Sequence, residues 1–389
     1  MFEHLCLQRW PFVVVPEPTL CDFIADREQF HEDMEKLLRT LSRQNASSIH
    51  PIWSWFGAGK THTLHYISNR AAQIHKQGTS RLRTIYSEFP QNPRSFVDVY
   101  KSFAFQLDQE ALSEAYLQIC TSAEAAHMER DLLSASSDLA SALKVLVIGG
   151  PADQDLAMRW LRAETLSIAS CRKLGISKRI TSSEDSSRIL IGLVRMFGLS
   201  ASSQNQINAR LIWLLDELQR IEQLSARVRD EINTGLHSTF NACPTGFSMI
   251  LSFSGRPTET LPAWFSPELK DRIGRTKVMI LPPMQTTDAL KFVRDVLAHS
   301  RRPEDSDIDP YFPFSESTCR MIINDIQKHE ELKPRAIMQV FNAILQEADI
   351  LIEAGKIKVV STELSRKVLA ELVQLEQSIP ARKAGRFQQ

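Results

Sequence analysis

The run Trp55-Phe56-Gly57-Ala58-Gly59-Lys60-Thr61 sets two glycines, a lysine and a hydroxyl almost side by side. That combination suits a phosphate cradle. Small residues let the backbone curl so that its N–H groups face phosphate oxygens, and a helix starting there adds its partial positive charge. Gly57, Ala58 and Gly59 would form the curl, Lys60 would bridge the β- and γ-phosphates, and Thr61 would offer its hydroxyl to Mg²⁺. His62 comes next and reads either as a further cradle residue or as a surface histidine of the helix. The full pattern of such loops begins with a glycine where this chain has Ser54. Ser54 must therefore start the turn, with some strain.

A second constellation lies far downstream. Residues 211–215 read Leu-Ile-Trp-Leu-Leu and lead straight into Asp216-Glu217. A continuous apolar run with a polar end is the pattern of a buried parallel strand. Delivered to a strand's C-terminal end, Asp216 would hold Mg²⁺, mainly through water. Glu217 would orient or deprotonate an attacking water. The plainer alternative is an acidic helix start after a strand. With a phosphate loop upstream, the catalytic reading is preferred, and Glu217 favours hydrolysis over mere binding.

The elements that must position these groups follow from periodicity. Phe30, Met34, Leu37, Leu38 and Leu41 recur at helical spacing. Residues 49–53 read as a strand, although Pro51 lies inside it. Residues 60–76 read as a helix, with Leu64, Ile67, Ala71 and Ile74 on one face. Strands are expected at 83–88, 211–215, 246–253 and 278–281, and helices at 96–107 and 228–241. From 108 to 209 the chain is mostly helical and polar, with 200–208 a surface loop. After Pro282-Pro283 only helices are expected, at 286–300, 315–329, 334–354 and 361–378. Strands alternating with helices imply a parallel sheet covered on both faces. The expected domains are an α/β core over 1–283 with a helical insertion at about 108–209, a helical domain over 284–378, and a frayed tail over 379–389.

Composition sets the limits. The 389 residues are 43% hydrophobic and 24% charged, with 46 Lys plus Arg against 46 Asp plus Glu. No global positive field draws the chain to nucleic acid or an anionic membrane. The six cysteines show no Cys-x-x-Cys or zinc-ligand spacing. They read as reduced thiols of a cytoplasmic protein. The first ten residues lack the pattern of a signal peptide, and no apolar run is long enough to span a membrane.

With both motifs placed, the chain resembles AAA+ P-loop ATPases, and within them the origin-recognition and STAND-like branch. The resemblance extends over roughly residues 20–355. It implies a three-layer α/β P-loop NTPase core with a parallel sheet, a helical insertion and a C-terminal all-helical lid, binding ATP and Mg²⁺ between core and lid. Phe23-Ile-Ala-Asp-Arg27-Glu28 resembles the segment that lies near the adenine in this family, which makes Arg27 a nucleotide contact. Residues 248–254 resemble the strand carrying sensor 1, with Ser254 preferred and Ser252 second. Leu269-Lys-Asp-Arg272-Ile resembles the arginine-finger segment, and Lys333-Pro334-Arg335 resembles sensor 2. Arg272 would reach a neighbouring subunit's γ-phosphate, and Arg335 would sense phosphate in its own chain.

A narrower likeness runs through Trp160-Leu161-Arg162, Leu174-Gly175-Ile176 and the acidic strand, which resemble the ATP-binding proteins of BREX-type phage-defence systems. Trp160 and Arg162 also read simply as packing residues. Glu88 reads as a surface carboxylate or as a coupler to Glu217, and Arg382, Lys383 and Arg386 as a solvated basic tail. The expected function is an ATP-hydrolysing protein that couples nucleotide state to a protein or DNA partner, in prokaryotic antiviral defence or a mobile element. The alternatives are a DNA-loading initiator or transposition-type ATPase, and an oligomerising signalling switch. The expected assembly is a homo-oligomer or a hetero-complex, with DNA reached through partners and no membrane.

Overall fold

The computed structural model describes residues 2–78, 80–121, 136–202, 209–274 and 278–378. The chain forms two compact units. One holds Gln29–Phe56 and Lys60–Leu281, and the other holds Met1–Glu28, Gly57–Gly59 and Pro282–Gln389. The tail expected over 379–389, with its three basic residues, lies outside the described residues, as does 203–208 of the expected polar loop.

The first unit is built on five strands: β1 (Ser48–Ser54), β2 (Arg81–Glu88), β3 (Ala209–Asp216), β4 (Phe247–Ser254) and β5 (Met279–Leu281). Their order is β2-β3-β4-β1-β5, and every neighbouring pair is parallel. Helix α1 (Glu28–Arg43) precedes β1, and α2 (Lys60–Lys76) follows it. The connection after β1 runs to the β2 edge, whereas the one after β4 runs to the opposite edge. Ligands of open parallel sheets bind where such connections part, outside the carboxyl ends of the strands. The segments 55–61 and 216–219 both start there.

Burial explains the strand sequences. β3 and β4 are buried at every position, which is why they are near-continuous apolar runs. Pro51 is tolerated in β1 because β5 pairs only with Ile52–Ser54, so at Pro51 one side of the strand has no partner to supply. One buried residue of β3 is charged. Arg210 donates to the carbonyls of Gln44, Ala46 and Phe247 at 2.5, 2.9 and 3.3 Å, and also contacts Ser248 Oγ. Burial pulls its guanidinium down to about 10, which still leaves it charged at neutral pH. It ties the amino ends of β3 and β4 to the segment entering β1.

The inserted helices belong to the same core as the sheet. They are α4 (Gln109–Thr121), α5 (Ser137–Ile148), α6 (Pro151–Leu161), α7 (Ile168–Lys173) and α8 (Ser183–Ser202), preceded by α3 (Phe96–Ala104). Leu112, Leu143, Trp160 and Leu193 share one hydrophobic cluster with Trp213 and Leu215 of β3. Phe103 meets Trp213 edge-on at 5.2 Å. Trp160 is buried, with its Nε1 donating to Lys178 O at 2.9 Å, and Leu161 O accepts the Tyr100 hydroxyl at 2.5 Å. The Trp-Leu pair is therefore packing. Arg162 lies over the Phe105 ring at 5.7 Å.

The second unit is helical: α11 (Thr286–His299), α12 (Glu316–His329), α13 (Pro334–Glu353) and α14 (Thr362–Ser378). Sequence patterning groups the first 25 residues with the α/β core, whereas the structure groups Met1–Glu28 with these helices. The physical reason is apolar. Leu5, Leu7 and Phe12 fill the helical core, and Phe12 packs on Phe314 and Phe341 at 6.2 and 5.3 Å. Trp10 Nε1 donates to Asn342 at 2.7 Å, and Gln8 N–H donates to Ser300 O at 2.9 Å. Among the described residues, no helix is long and apolar enough to cross a membrane.

Two substitutions test this packing. In α9 (Ala226–Ala242), a Cβ on Gly235 would lie 2.4 Å from Phe96 Cγ. Gly235→Ala is expected to lower the unfolding free energy by about 1–3 kcal/mol, read by denaturant melting. Trp160→Ala is expected to cost about 3–5 kcal/mol in the same assay. Its folded fraction should bind nucleotide like the parent, because Trp160 fills core rather than a ligand site.

Candidate nucleotide site

In the sheet unit, β1 ends at Ser54 and α2 begins at Lys60. Helix α2 places Thr61 in its first turn, where backbone N–H groups have no partner within the helix and attract anions. The Thr61 hydroxyl donates to Asp216 Oδ2 at 2.6 Å. Asp216 is buried at the end of β3, and its Oδ1 accepts the Glu217 N–H at 2.8 Å. Thr61 and Asp216, predicted from the sequence to share one site, are thus in direct contact. A hydroxyl and a carboxylate so placed are hard oxygen donors of the kind that fit Mg²⁺. Lys60 is buried, with its Nζ donating to Trp55 O at 3.1 Å and lying 5.9 Å from the centre of the exposed Phe56 ring.

The turn expected to be strained at Ser54 is built differently. Ser54 is an ordinary strand residue, with its hydroxyl donating to Trp55 O at 3.2 Å. The left-handed backbone falls instead on Gly57 and Gly59, at φ 76° and 97°, where glycine meets it without steric cost.

Within the second unit, Gly57 O accepts the Arg335 N–H at 3.3 Å. A Cβ on Gly57 would stand 3.2 Å from Arg335 Cβ. Arg335 itself is exposed, in the first turn of α13. Arg27 donates to Ala58 O at 2.8 Å and to Pro282 O at 3.3 Å. Burial pulls its guanidinium down to about 10. Burial, reinforced by Asp288, pushes the neighbouring Asp26 up to about 6. Both residues have positive φ, at 45° and 85°. Such strain in non-glycine residues collects at ligand clamps and active sites.

Glu217 follows Asp216 in a left-handed conformation, φ 60° and ψ 28°, and opens a 3-10 turn over Leu218–Gln223. Gln219 Nε2 donates to Glu217 Oε2 at 2.9 Å, and Arg220 approaches the same oxygen at 3.5 Å. Arg220 also reaches Glu88 at 3.5 Å and donates to Phe89 O at 2.5 Å. Glu88, at the end of β2, is therefore linked to Glu217 through one guanidinium. Ser254 ends β4. Its hydroxyl and that of Ser252 are buried, with no hydrogen-bond partner among the described residues. His62 is half-buried in α2. Arg272 is exposed in the last turn of α10 (Pro267–Ile273) and is not in contact with Thr61, Asp216 or Glu217.

Sequence reasoning missed Tyr86, His65, Gln219 and Arg220. The Tyr86 hydroxyl lies 3.4 Å from Asp216 Oδ2, and burial together with that carboxylate pushes its titration upward, so it stays a donor. His65 packs on the Tyr86 ring at 4.4 Å, and burial lowers its pKa. A usable signal was the alternation of β2, which puts Tyr86 and Glu88 on one face of a strand paired with β3. Nothing comparable in the sequence marked Gln219 or Arg220.

No family model and no curated protein matches the chain. Solved structures do. The Aeropyrum pernix ORC1 protein, solved in complex with DNA, aligns with a TM-score of 0.55 and 12% identity, covering 97% of this chain and 74% of that one. The Aeropyrum pernix ORC2 protein, solved in ADPNP–ADP complexes, aligns with a TM-score of 0.51 and 15% identity over 94% and 71%. Drosophila ORC bound to DNA gives 0.50 and 12% over 95% and 67%. At such identities the likeness speaks for fold. The chain shares the fold of these origin-recognition proteins, a parallel sheet covered by helices and followed by helices.

Proposed function

We propose that the chain binds ATP with Mg²⁺ at residues 57–61 and hydrolyses it, and that a partner reads the nucleotide state. The observation that carries this reading is the contact between Thr61 and Asp216 at 2.6 Å. A hydroxyl and a carboxylate are suitable Mg²⁺ ligands, and the chain enters α2 through glycines with left-handed backbone at Gly57 and Gly59, which supports the same reading. A bound Mg²⁺ would neutralise charge on the β- and γ-phosphates. Lys60 would exchange its present bond to Trp55 O for phosphate oxygens. Glu217 would orient a water and accept its proton as that water attacks the γ-phosphorus, while the bond from that phosphorus to the β–γ bridging oxygen breaks and ADP leaves with the electron pair. The carboxylate is held at its Oε2 by Gln219 and Arg220.

Arg335 and Arg27, bonded to the loop carbonyls of Gly57 and Ala58, are proposed to report on phosphate occupancy in the same chain. Arg272 is exposed, as a residue offered to a neighbouring copy must be, and is proposed to act in an oligomer. For the partner, the narrower sequence likeness supports a defence assembly. That likeness is weakened by the burial of Trp160 and Leu161, which accounts for those residues by packing alone. The similarity to ORC1 in complex with DNA supports a second reading, a DNA-loading ATPase. Titrating duplex DNA with and without ATP separates the two. Direct loading requires nucleotide-dependent binding that weakens steeply with salt, whereas a partner-borne role leaves the isolated chain without DNA affinity.

Two variants test the chemistry. Lys60→Ala is expected to abolish ATP binding measured by calorimetry. Glu217→Gln is expected to keep ATP affinity within a few-fold while the single-turnover hydrolysis rate falls by about 10²–10⁴. Retention of full hydrolysis by Glu217→Gln would remove this carboxylate from the mechanism.

A further inference from the structure

Glu217 needs more than its place in the chain to do this work. A general base has to stand within hydrogen-bond reach of the proton it takes, at a fixed angle. Its backbone is in the left-handed region, which for a non-glycine residue persists only when neighbours enforce it. The side chain is flexible, and two groups hold it. Both act on the same oxygen, Oε2: the Gln219 amide at 2.9 Å and the Arg220 guanidinium at 3.5 Å. The amide is the closer and the better hydrogen bond.

The other end of that amide is also used. Gln219 Oε1 accepts the backbone N–H of Ser254 at 2.8 Å. Ser254 is the last residue of β4, and the next N–H, from Gly255, donates to Ser54 O at 3.0 Å at the end of β1. One side chain therefore spans from the acidic residue after β3 to the tip of β4, which is in turn fastened to the strand that leads into the phosphate loop. A carboxylate, a leucine or a lysine at 219 would not reproduce both bonds. An amide donates at one end and accepts at the other, which is what these two bonds require. Its own backbone is fixed by the 3-10 turn over Leu218–Gln223, which buries Leu218 and Ile221.

We propose that Gln219 is a positioning residue for ATP hydrolysis, which locks the Glu217 carboxylate to the tip of β4 so that base and Ser254 hold one geometry. This rests on the reading of Glu217 as the hydrolytic carboxylate. Gln219 acts through Glu217 and touches neither nucleotide nor metal.

The test is a mutant cycle on the full chain, with single-turnover hydrolysis of ATP–Mg²⁺ and calorimetric ATP binding measured on each member. Gln219→Met keeps the length and removes both bonds, while Gln219→Asn keeps the amide but is too short to span. Both should lower the hydrolysis rate at least tenfold, with ATP affinity within twofold and an unchanged melting temperature. In the Glu217→Gln background, Gln219→Met should change the residual rate by less than twofold, because a residue acting through Glu217 has nothing left to position. The proposal is overturned if Gln219→Met and Gln219→Asn both hydrolyse within twofold of the parent. It is equally overturned if Gln219→Met lowers the rate by the same factor with and without Glu217. If Glu217→Gln itself hydrolyses like the parent, the failure lies with the proposed function and is read from that variant alone.

Discussion

The hydroxyl of Thr61 and the carboxylate of Asp216 meet at 2.6 Å across a sequence separation of 155 residues. Neither residue can move far from its element. Thr61 is fixed by the first turn of α2, and Asp216 by a strand buried along its whole length. The contact therefore depends on the register of the sheet. In that register Leu215 lies beside Leu251, and Ser54 lies beside Ser254. A slip of one residue in β3 would turn Asp216 to the other face and leave Thr61 facing a different side chain. The large apolar core under β3, including the inserted helices that pack on Trp213 and Leu215, is what makes such a slip costly.

Around this contact the structure carries groups that a purely structural domain would avoid. The hydroxyls of Ser252 and Ser254 and the indole nitrogen of Trp53 are buried without partners among the described residues. Each unsatisfied polar group of this kind costs about 1–3 kcal/mol. All three lie on the adjacent strands β1 and β4, and Ser254 is at the very end beside Gly255. Left-handed backbone at Glu217 adds about 1–3 kcal/mol of strain. Natural chains keep such violations mainly at functional sites. Other buried polar atoms without partners among the described residues, such as Ser80 Oγ and Arg210 Nε, lie away from the carboxyl ends of the strands, so these three are part of a wider set.

Much of this was legible in the sequence because the relevant signals are local. A glycine curl running into Lys-Thr, and an apolar run ending in Asp-Glu, each announce a strand and the turn after it within a few residues. The helical second unit was legible from periodicity after Pro282-Pro283. What escaped was non-local. Leu5, Leu7 and Phe12 look like a mixed lead-in because the surface they fill is made by helices almost 300 residues later. Arg210 was hidden because a charged residue in a buried strand makes sense only once four backbone carbonyl and hydroxyl acceptors converge on it. Gln219 and Arg220 carry no pattern of their own, and their roles come from the left-handed turn at Glu217, which aims both at one oxygen. Ser54 was misjudged because glycine at that position was assumed to relieve strain, whereas the strain is taken by Gly57 and Gly59.

The central claim is that a metal-bound triphosphate sits at Thr61 and Asp216. A crystal structure with a non-hydrolysable ATP analogue and Mn²⁺ in place of Mg²⁺, recorded at the manganese absorption edge, tests it directly. The account predicts one anomalous peak bonded to Thr61 Oγ1 at roughly 2 Å, with Asp216 reaching it through water and the γ-phosphate beside Lys60. A nucleotide bound with its metal away from Thr61, or a well-ordered loop 57–61 with no phosphate in it under saturating analogue, would contradict it.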